Sequence, residues 1–316
     1  MAGSDTAPRA PGVAADDGPF CAPAALGPLR PLDLLVVGYA ALAAILLAVG
    51  VARGVPLCLA QLVVNLLIVG FALVFACLTA RTRSPLLVLL RLGYGPILFW
   101  YFYHQTGIIW PILHDAPFDP RIVALDQRLF GIQPSLAFQD ALPSRALGEV
   151  FSFAYFTYYF FTSAVIFGAL VGRGYRAAER AVFAVAACFF SCYAFFWLFP
   201  TVAPHFWFPP RTGPQLYPGY VFNHALFFLT SRGEIKGGAF PSSHIAVAVL
   251  LTLSAQREAP RLFPLLLAIT VVLCPAVVYL HAHYLVDVPT GILVGVFFWR
   301  FAPRWQRSLE HLLAVT

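Results

Sequence analysis

Eight long apolar runs constrain this chain more than any other feature of its sequence. Hydrophobic residues make up 60% of it and charged residues 11%, against roughly 25% charged in soluble domains. About 20 apolar residues let an α-helix cross a bilayer, where backbone groups must be satisfied within the segment. The sequence therefore predicts an all-α, polytopic transmembrane helical bundle. The approximate predicted spans are 32–51, 57–80, 86–106, 149–171, 179–199, 243–257, 261–281 and 284–301.

These runs differ in how clearly they predict a span. The third contains Arg91 and Pro96 and runs on to Trp110, and the sixth is short. Almost nothing separates the last two runs. His283 is therefore predicted either in a tight interfacial turn or just inside the start of a helix.

The charges between the spans predict the orientation of the chain. An even number of spans puts both termini on one side, which then receives 13 of the 20 Lys and Arg residues. Because positive loop residues favour the cytoplasm, both termini are predicted to be cytoplasmic. The long loops 107–148 and 200–241 then lie outside, on the same face as His244 and His283. The net charge of +6 reflects these loops and is not evidence for a nucleic-acid partner.

Composition divides the chain into four predicted segments. Residues 1–30 lack the basic start and apolar core of a secretory signal, so we expect a disordered tail. Residues 31–85 are two additional N-terminal transmembrane helices. Residues 86–303 form the transmembrane domain that carries the motifs described below, and residues 304–316 are a cytoplasmic tail.

Both long loops contain further patterns. In the first, Ile122, Leu125, Leu129 and Phe130 have helical spacing, which predicts an amphipathic helix over Asp119–Phe130 on the membrane surface. In the second loop, residues 200–222 are dense in Pro, Trp, Phe and Tyr. This composition is typical of an interfacial segment and predicts a lid.

A polar, glycine-rich stretch from Lys236 to His244 opens directly into an apolar run. Pro241 suits a helix start, and Ser242 or Ser243 can cap that helix. A helix start has unpaired N–H groups and a partial positive charge, so it attracts anions. A lysine, two hydroxyls and a histidine beside it favour phosphate. Taken alone, His244 is better explained as an ordinary polar residue at the membrane interface. Its place beside Pro241, Ser242 and Ser243, on the same face as His283, reverses that preference.

A second motif places Asp287 four residues after His283. On a helix these side chains share a face and can touch. An aspartate bound to one ring nitrogen fixes the histidine tautomer and leaves the other nitrogen free to attack. The alternative is a buried polar pair that only ties helices together. Asp287 lies in an apolar run, where ionisable residues are costly and usually functional.

Together these motifs resemble a known family. Gly238 to His244 reads Gly-Ala-Phe-Pro-Ser-Ser-His, and His283-Tyr-Leu-Val-Asp287 follows 39 residues after His244. This pattern is similar to the last two motifs of the type 2 phosphatidic acid phosphatase (PAP2) superfamily, over about residues 86–301. Residues 125–131, Leu-Asp-Gln-Arg-Leu-Phe-Gly, resemble an element of the inositol phosphorylceramide synthase branch, which is the nearest in character.

The resemblance implies a fold, a reaction and roles. Residues 86–303 would be a PAP2-like catalytic domain with a six-helix core and its active site on the non-cytoplasmic face. His283 would attack phosphorus and form a phosphohistidine, Asp287 would orient His283, and His244 would protonate the leaving alcohol. No metal or cofactor is implied. For two imidazoles flanking a phosphate we expect a nitrogen-to-nitrogen distance of about 5–8 Å, which allows two contacts of roughly 3 Å.

The same resemblance implies an integral membrane lipid phosphatase or phosphotransferase. Its partners would be a phospholipid or lipid-phosphate substrate and membrane lipids, and no oligomeric state is predicted. Transfer of an inositol-phosphate type headgroup to a lipid alcohol is one reading. Hydrolysis of a polyprenyl phosphate or phosphatidate is the other.

The chain departs from typical members of the superfamily at its basic residues. It has no Lys-x6-Arg-Pro motif, and Ala276 and Val277 stand where a Ser-Arg pair is expected. Interfacial charges that meet lipid headgroups are the alternative reading of the remaining basic residues, including Arg211. The predicted phosphate-binding set is Lys236, Gly238, Ser242, Ser243, Arg232 and His281.

Three other classes of protein compete with this interpretation. A zinc site can be drawn from His244, His281, His283 and Asp287, although Ser-rich helix starts suit oxyanions better. A transporter or channel would place its polar residues near the bilayer midplane. A CDP-alcohol phosphotransferase would need an aspartate-rich motif on its helices, and the aspartates of residues 115–126 have the wrong spacing.

Overall fold

The computed structural model describes residues 28–80, 84–208, 219–233 and 235–315. Within these ranges the chain forms 13 helices and no strand, so the predicted all-α class is confirmed. Isolated bridges join Thr201 to Gly237 and Gly238. The helices are α1 (Pro31–Ala52), α2 (Cys58–Thr79), α3 (Pro85–Leu113), α4 (Asp119–Phe130), α5 (Pro134–Ala141), α6 (Arg145–Tyr158), α7 (Phe161–Arg173), α8 (Tyr175–Leu198), α9 (Pro204–Trp207), α10 (Val221–Gly233), α11 (Ser243–Glu258), α12 (Phe263–Tyr279) and α13 (Asp287–Val315).

Several helices are long and apolar enough to cross a membrane. In the described ranges these are α1, α2, α3 and α8, and the bent pair of α6 and α7 makes a fifth if it is one span. Helices α11 and α12 have 16 and 17 residues. At 1.5 Å per residue they extend about 25 Å, less than the roughly 30 Å hydrocarbon core. The helices agree with an integral membrane protein, while the count of eight spans and the side of the termini stay predictions.

The predicted span 149–171 is wrong as one continuous helix. The chain forms α6 and α7 instead, which meet at an angle of 49° across Tyr159 and Phe160. Sharp bends usually follow Pro or Gly, and this break contains neither, so nothing in the sequence marks it. The bend gathers aromatic rings around His244: the ring centroids of Tyr155, Tyr158 and Tyr159 lie 4.9, 5.2 and 6.2 Å from the centroid of its imidazole.

Other helices extend beyond their predicted bounds. Helix α3 passes through both Pro96 and Pro111 and is 29 residues long, where 86–106 was expected. The segment 304–315, predicted as a tail, continues α13. Helix α10 occupies part of the loop 200–241, which was predicted as loop and lid. The lid residues 209–218 lie outside the described part of the chain, as do residues 1–27 of the predicted tail.

Helix α4 has the predicted bounds, and most of its apolar stripe lies outside the face that meets the protein. Of the apolar stripe, only Ile122 is buried, whereas Leu125, Leu129 and Phe130 are exposed. The residues buried with Ile122 are two aspartates, Asp119 and Asp126, one turn to either side of it. Tertiary packing, not apolar periodicity, therefore decides which face of α4 meets the protein.

Glycines bring the two motif-bearing helices into close contact. A Cβ atom on Gly291 of α13 would lie 2.7 Å from the Ser242 carbonyl oxygen, and one on Gly295 would lie 2.4 Å from the Ala246 oxygen. Small residues spaced four apart let membrane helices approach in this way. The backbone N–H of Ser242 also donates to the carbonyl of Asp287 at 3.3 Å. The start of α11 is thus fixed directly against the start of α13.

The two N-terminal helices are joined to α3 by a buried ion pair. The Arg91 guanidinium donates to the Asp33 carboxylate at 2.5 Å and to the Ala76 carbonyl at 3.1 Å. Tyr94 donates to the other Asp33 oxygen at 2.5 Å. Arg91, which weakened the prediction of the third span, is therefore paired inside the protein.

Candidate active site

The Lys236–His244 stretch ends in a capped helix. Ser242 is the N-cap of α11, and its hydroxyl accepts the backbone N–H of Ile245 at 3.3 Å. The prediction of a serine cap is confirmed. Upstream, the backbone N–H of Ala239 donates to the Thr201 carbonyl at 3.0 Å, and that of Phe240 to the Thr201 hydroxyl at 2.8 Å. These contacts attach the stretch to the chain that follows α8.

His283 lies in the short turn that joins α12 to α13. Its Nδ1 is 3.2 Å from Asp287 Oδ2, and the same carboxylate oxygen accepts the backbone N–H of Tyr284 at 2.9 Å. His283 and Asp287 are both buried. The predicted contact is present, and the turn makes it in place of a regular helical face.

The two histidines are in direct contact. His244 Nδ1 lies 3.2 Å from His283 Nε2, and the ring centroids are 5.4 Å apart. The predicted nitrogen-to-nitrogen distance of about 5–8 Å is wrong for this pair. The reason is that an imidazole N–H and an imidazole lone pair can hydrogen-bond to each other. A phosphate placed between these two nitrogens would have to move them apart.

Hydrogen-bond roles assign the protons along this pair. A carboxylate accepts, so His283 Nδ1 carries the proton facing Asp287 and its Nε2 is the acceptor. His244 Nδ1 must then be the donor to His283. His244 Nε2 consequently accepts from the Tyr155 hydroxyl, which lies 3.1 Å away. One consistent chain of donors runs from Tyr155 through both histidines to Asp287.

A cavity of about 280 Å³ opens beside the histidines. Both His244 and His283 line it, and so does Ser243. The described lining contains neither lysine nor arginine, and aromatic rings from α3, α6 and α8 dominate it. These rings are Phe99, Trp100, Tyr103, Tyr155, Tyr158, Phe189 and Tyr193.

The predicted phosphate-binding residues separate into groups. Gly238 and Ser243 line the cavity, whereas the Ser242 hydroxyl caps α11 and Ser242 is fully buried. Lys236 is exposed, with its Nζ 5.7 Å from the centroid of the Phe206 ring. The side chain of Arg232 lies outside the described part of the structure, as does Arg211.

His281 is placed away from the cavity lining. It is buried, and its Nε2 contacts the side-chain oxygen of Gln139 on α5. Burial, together with the nearby His205, lowers the pKa of His281 to about 4. A neutral imidazole in that position offers no positive charge to a phosphate. We therefore leave His281 out of the proposed phosphate site.

Helix α4 contacts the catalytic turn through both of its buried carboxylates. Asp119 accepts the Tyr284 hydroxyl at 2.6 Å and the backbone N–H of Val202 at 2.7 Å. Asp126 accepts the backbone N–H groups of Leu285 and Val286 at 3.1 and 3.2 Å. Burial raises the pKa of both aspartates, and these hydrogen bonds oppose the shift.

Sequence reasoning missed three residues of this arrangement. Tyr155 sits in an apolar run with nothing to distinguish it from core aromatics. Asp119 and Asp126 were noted in the loop and given no role, although two aspartates spaced seven apart on a predicted helix share one face. That spacing was the available signal. Among the described residues, no group of three or more His, Cys, Asp or Glu side chains is arranged to hold a metal ion.

Comparison with known proteins gives one match. A sequence model of the PAP2 superfamily matches residues 120–301, more than half of the chain. The matched range begins in α4 and includes both histidines, Asp287 and most of the cavity lining. Searches of curated proteins and of solved structures gave no match.

Proposed function

This chain belongs to the PAP2 superfamily, and we propose that it cleaves a lipid phosphoester through a covalent phosphohistidine on His283. Membership of this superfamily suggests a lipid phosphatase-type function. The observation that carries the proposal is the series Asp287–His283–His244 at the wall of a cavity, with both links at 3.2 Å and with Asp287 and His283 buried. A nucleophile backed by a carboxylate, with a second proton carrier in reach, is the arrangement that two-step group transfer needs.

In the first step, His283 Nε2 uses its lone pair to form a bond to phosphorus, and the bond from phosphorus to the ester oxygen breaks. His244 enters this step as an imidazolium, after its Nε2 has taken up a proton. The proton on its Nδ1, which faces His283 Nε2 in the resting site, moves to the departing oxygen and leaves a neutral His244. The phosphorylated imidazole becomes positively charged. The Asp287 carboxylate beside His283 Nδ1 stabilises that charge.

In the second step, His244 Nδ1 removes a proton from water or an alcohol, whose oxygen attacks phosphorus. The bond to His283 Nε2 breaks, and both histidines return to their starting protonation states. The start of α11 supports the equatorial phosphate oxygens through its backbone N–H groups, together with Gly238 and Ser243 at the cavity wall. The acceptor alone separates a hydrolase from a transferase.

The aromatic lining favours transfer to a lipid alcohol as the finer proposal. Rings from three helices make the lining beside the histidines mainly apolar, which disfavours water as the acceptor of the phosphoryl group. An inositol-phosphate type headgroup is the donor group to test first. Hydrolysis of phosphatidate or a polyprenyl phosphate is the alternative outcome, and we place the reaction on the non-cytoplasmic face.

The test uses purified full-length protein in detergent micelles with phosphatidate, a polyprenyl phosphate and phosphatidylinositol, each with and without ceramide or diacylglycerol. Release of inorganic phosphate from the monoesters, or of inositol phosphate from phosphatidylinositol, identifies a hydrolase, and a new phosphodiester lipid identifies a transferase. His283→Ala should abolish both. His311→Ala, which changes an exposed histidine at the end of α13, is the matched control. Turnover that survives in His283→Ala would refute the nucleophile.

A further inference from the structure

The turn that carries His283 has three successive backbone N–H groups held by carboxylates. That of Tyr284 donates to Asp287 at 2.9 Å, and those of Leu285 and Val286 donate to Asp126 at 3.1 and 3.2 Å. Asp126 is fully buried. One end of the turn is therefore fixed from within the motif, and the other from a helix 160 residues earlier in the chain.

We propose that Asp126 is a positioning residue that holds the 283–287 turn, so that His283 keeps its contact with Asp287 and presents Nε2 to the cavity. The proposal rests on the function proposed for His283. It assigns to α4, which contributes no residue to the cavity lining, a direct part in the geometry of the reaction.

A carboxylate suits this position because of its two acceptor oxygens. Asp126 uses one oxygen for each N–H, so it fixes both the place and the tilt of the peptide groups that follow His283. An asparagine keeps one acceptor and turns an NH₂ group toward the other N–H, where two donors repel. The turn would then lose one bond and be pushed away from α4.

The rest of the buried face of α4 fixes the same turn. Asp119 receives the Tyr284 hydroxyl at 2.6 Å, and Ile122 packs against Tyr284 and Val286. Three residues spaced along one face thus meet the segment between His283 and Asp287. Reactions of this kind are sensitive to position: a misplacement of about 1 Å can cost roughly 100-fold in rate.

The first experiment compares Asp126→Asn with Asp115→Asn, an exposed aspartate just ahead of α4, in the purified full-length protein. With phosphatidate as substrate, kcat of Asp126→Asn should fall about 10- to 100-fold while KM changes less than about twofold. Asp126→Glu, which keeps both oxygens, should recover part of the loss. If kcat of Asp126→Asn equals that of Asp115→Asn, the proposal is overturned.

A second measurement needs no substrate and separates this proposal from the proposed function. Diethyl pyrocarbonate carbethoxylates accessible histidines, and mass spectrometry locates the product. In Asp126→Asn, labelling of His283 should rise several-fold while that of His114 and His311 stays unchanged. This result supports the positioning role even if no tested lipid is turned over. Unchanged labelling of His283 contradicts it, and a rise at every histidine with a lower melting temperature shows a general role in folding and overturns it.

Discussion

His244 Nδ1 lies 3.2 Å from His283 Nε2, so His244 donates a hydrogen bond to the nitrogen proposed to attack phosphorus. The two rings cannot keep this contact while His283 bonds to phosphorus. Entry of a phosphate must therefore replace the His283 nitrogen with an ester oxygen as the acceptor of that hydrogen. The contact between the histidines thus identifies the His244 nitrogen from which the proposed proton transfer starts.

The separate roles of the two histidines predict different effects of their substitution. In His244→Ala, turnover of a lipid alkyl ester should fall about 10²- to 10⁴-fold, because its basic leaving group needs a proton. In an aryl phosphate such as 4-nitrophenyl phosphate, the leaving group is a weakly basic phenolate that departs without a proton from His244. Labelled phosphate from that compound should accumulate on His283, since no base remains to activate water. The label is measured on denatured protein at alkaline pH.

His283→Ala provides the matched control for that trapping experiment, because it removes the nitrogen that would carry the label. It should bind no phosphate covalently from either compound. An His244→Ala protein that turns over the alkyl ester as fast as the wild type would exclude His244 as the proton carrier.

Tyr155→Phe removes the hydroxyl that donates to His244 Nε2 while keeping the ring whose centroid lies 4.9 Å from that of the imidazole. His244 then loses the contact that holds its proton on Nδ1. A neutral hydrogen bond contributes about 0.5–1.5 kcal/mol, so we expect kcat to fall roughly 2- to 10-fold, with KM nearly unchanged. Steady-state kinetics on the best lipid substrate measures this. Tyr220→Phe, at an exposed residue, should have no effect, and equal kinetics of the two variants would exclude the role of Tyr155.

Local patterns in the sequence predicted some elements closely. The bounds of α4 follow from apolar spacing between Asp119 and Phe130, and the start of α11 follows from the serine cap at Ser242, with Pro241 one residue ahead of the cap. The contact between His283 and Asp287 was predicted from their separation of four residues, although a turn and not a helix makes it. In each case the residues that determine the feature are close together in the chain.

Features that depend on distant parts of the chain were not predictable in the same way. The break after Tyr158 carries no Gly or Pro, and the continuation of α3 past Arg91 depends on a partner 58 residues away, Asp33. Asp126 likewise accepts hydrogen bonds from the backbone N–H groups of Leu285 and Val286, which lie about 160 residues later in the chain. The direct contact of His244 with His283 is a property of packed rings, which motif spacing does not fix.

Close packing of α11 against α13 predicts that added methyl groups are harmful at two glycines. Gly291→Ala and Gly295→Ala would place Cβ within 2.7 and 2.4 Å of backbone oxygens on α11. Backbone oxygens cannot avoid the added methyl group by changing rotamer, so the helices must separate. We expect this to lower the free energy of unfolding by about 1–3 kcal/mol. Both variants should melt at lower temperature in detergent and lose activity as Asp287 moves away from α11. Gly38→Ala, where nothing lies within 4 Å of the added atom, is the control and should melt as the wild type does. Equal melting of all three variants would contradict the packing argument.

The buried His281 predicts a dependence of stability on pH. Burial lowers its pKa to about 4 from an ordinary value of 6.5. The unfolded chain therefore takes up a proton at this residue between pH 6.5 and 4, whereas the folded chain does so only near pH 4. The stability that the neutral ring contributes is fully present above pH 6.5 and is lost as the pH falls toward 4. A shift of this size corresponds to roughly 3 kcal/mol over the whole range.

Melting of the purified protein in detergent at pH 7.5 and 5.0 checks this sign. The wild type should melt at a clearly lower temperature at pH 5.0. In His281→Gln the side chain cannot take up a proton, so the difference between the two pH values should shrink. His311→Ala should keep the wild-type difference in melting temperature between the two pH values, because His311 is exposed and its ring is not desolvated by folding. If His281→Gln keeps the full difference as well, protonation of His281 does not limit stability in acid, and other buried groups must be responsible.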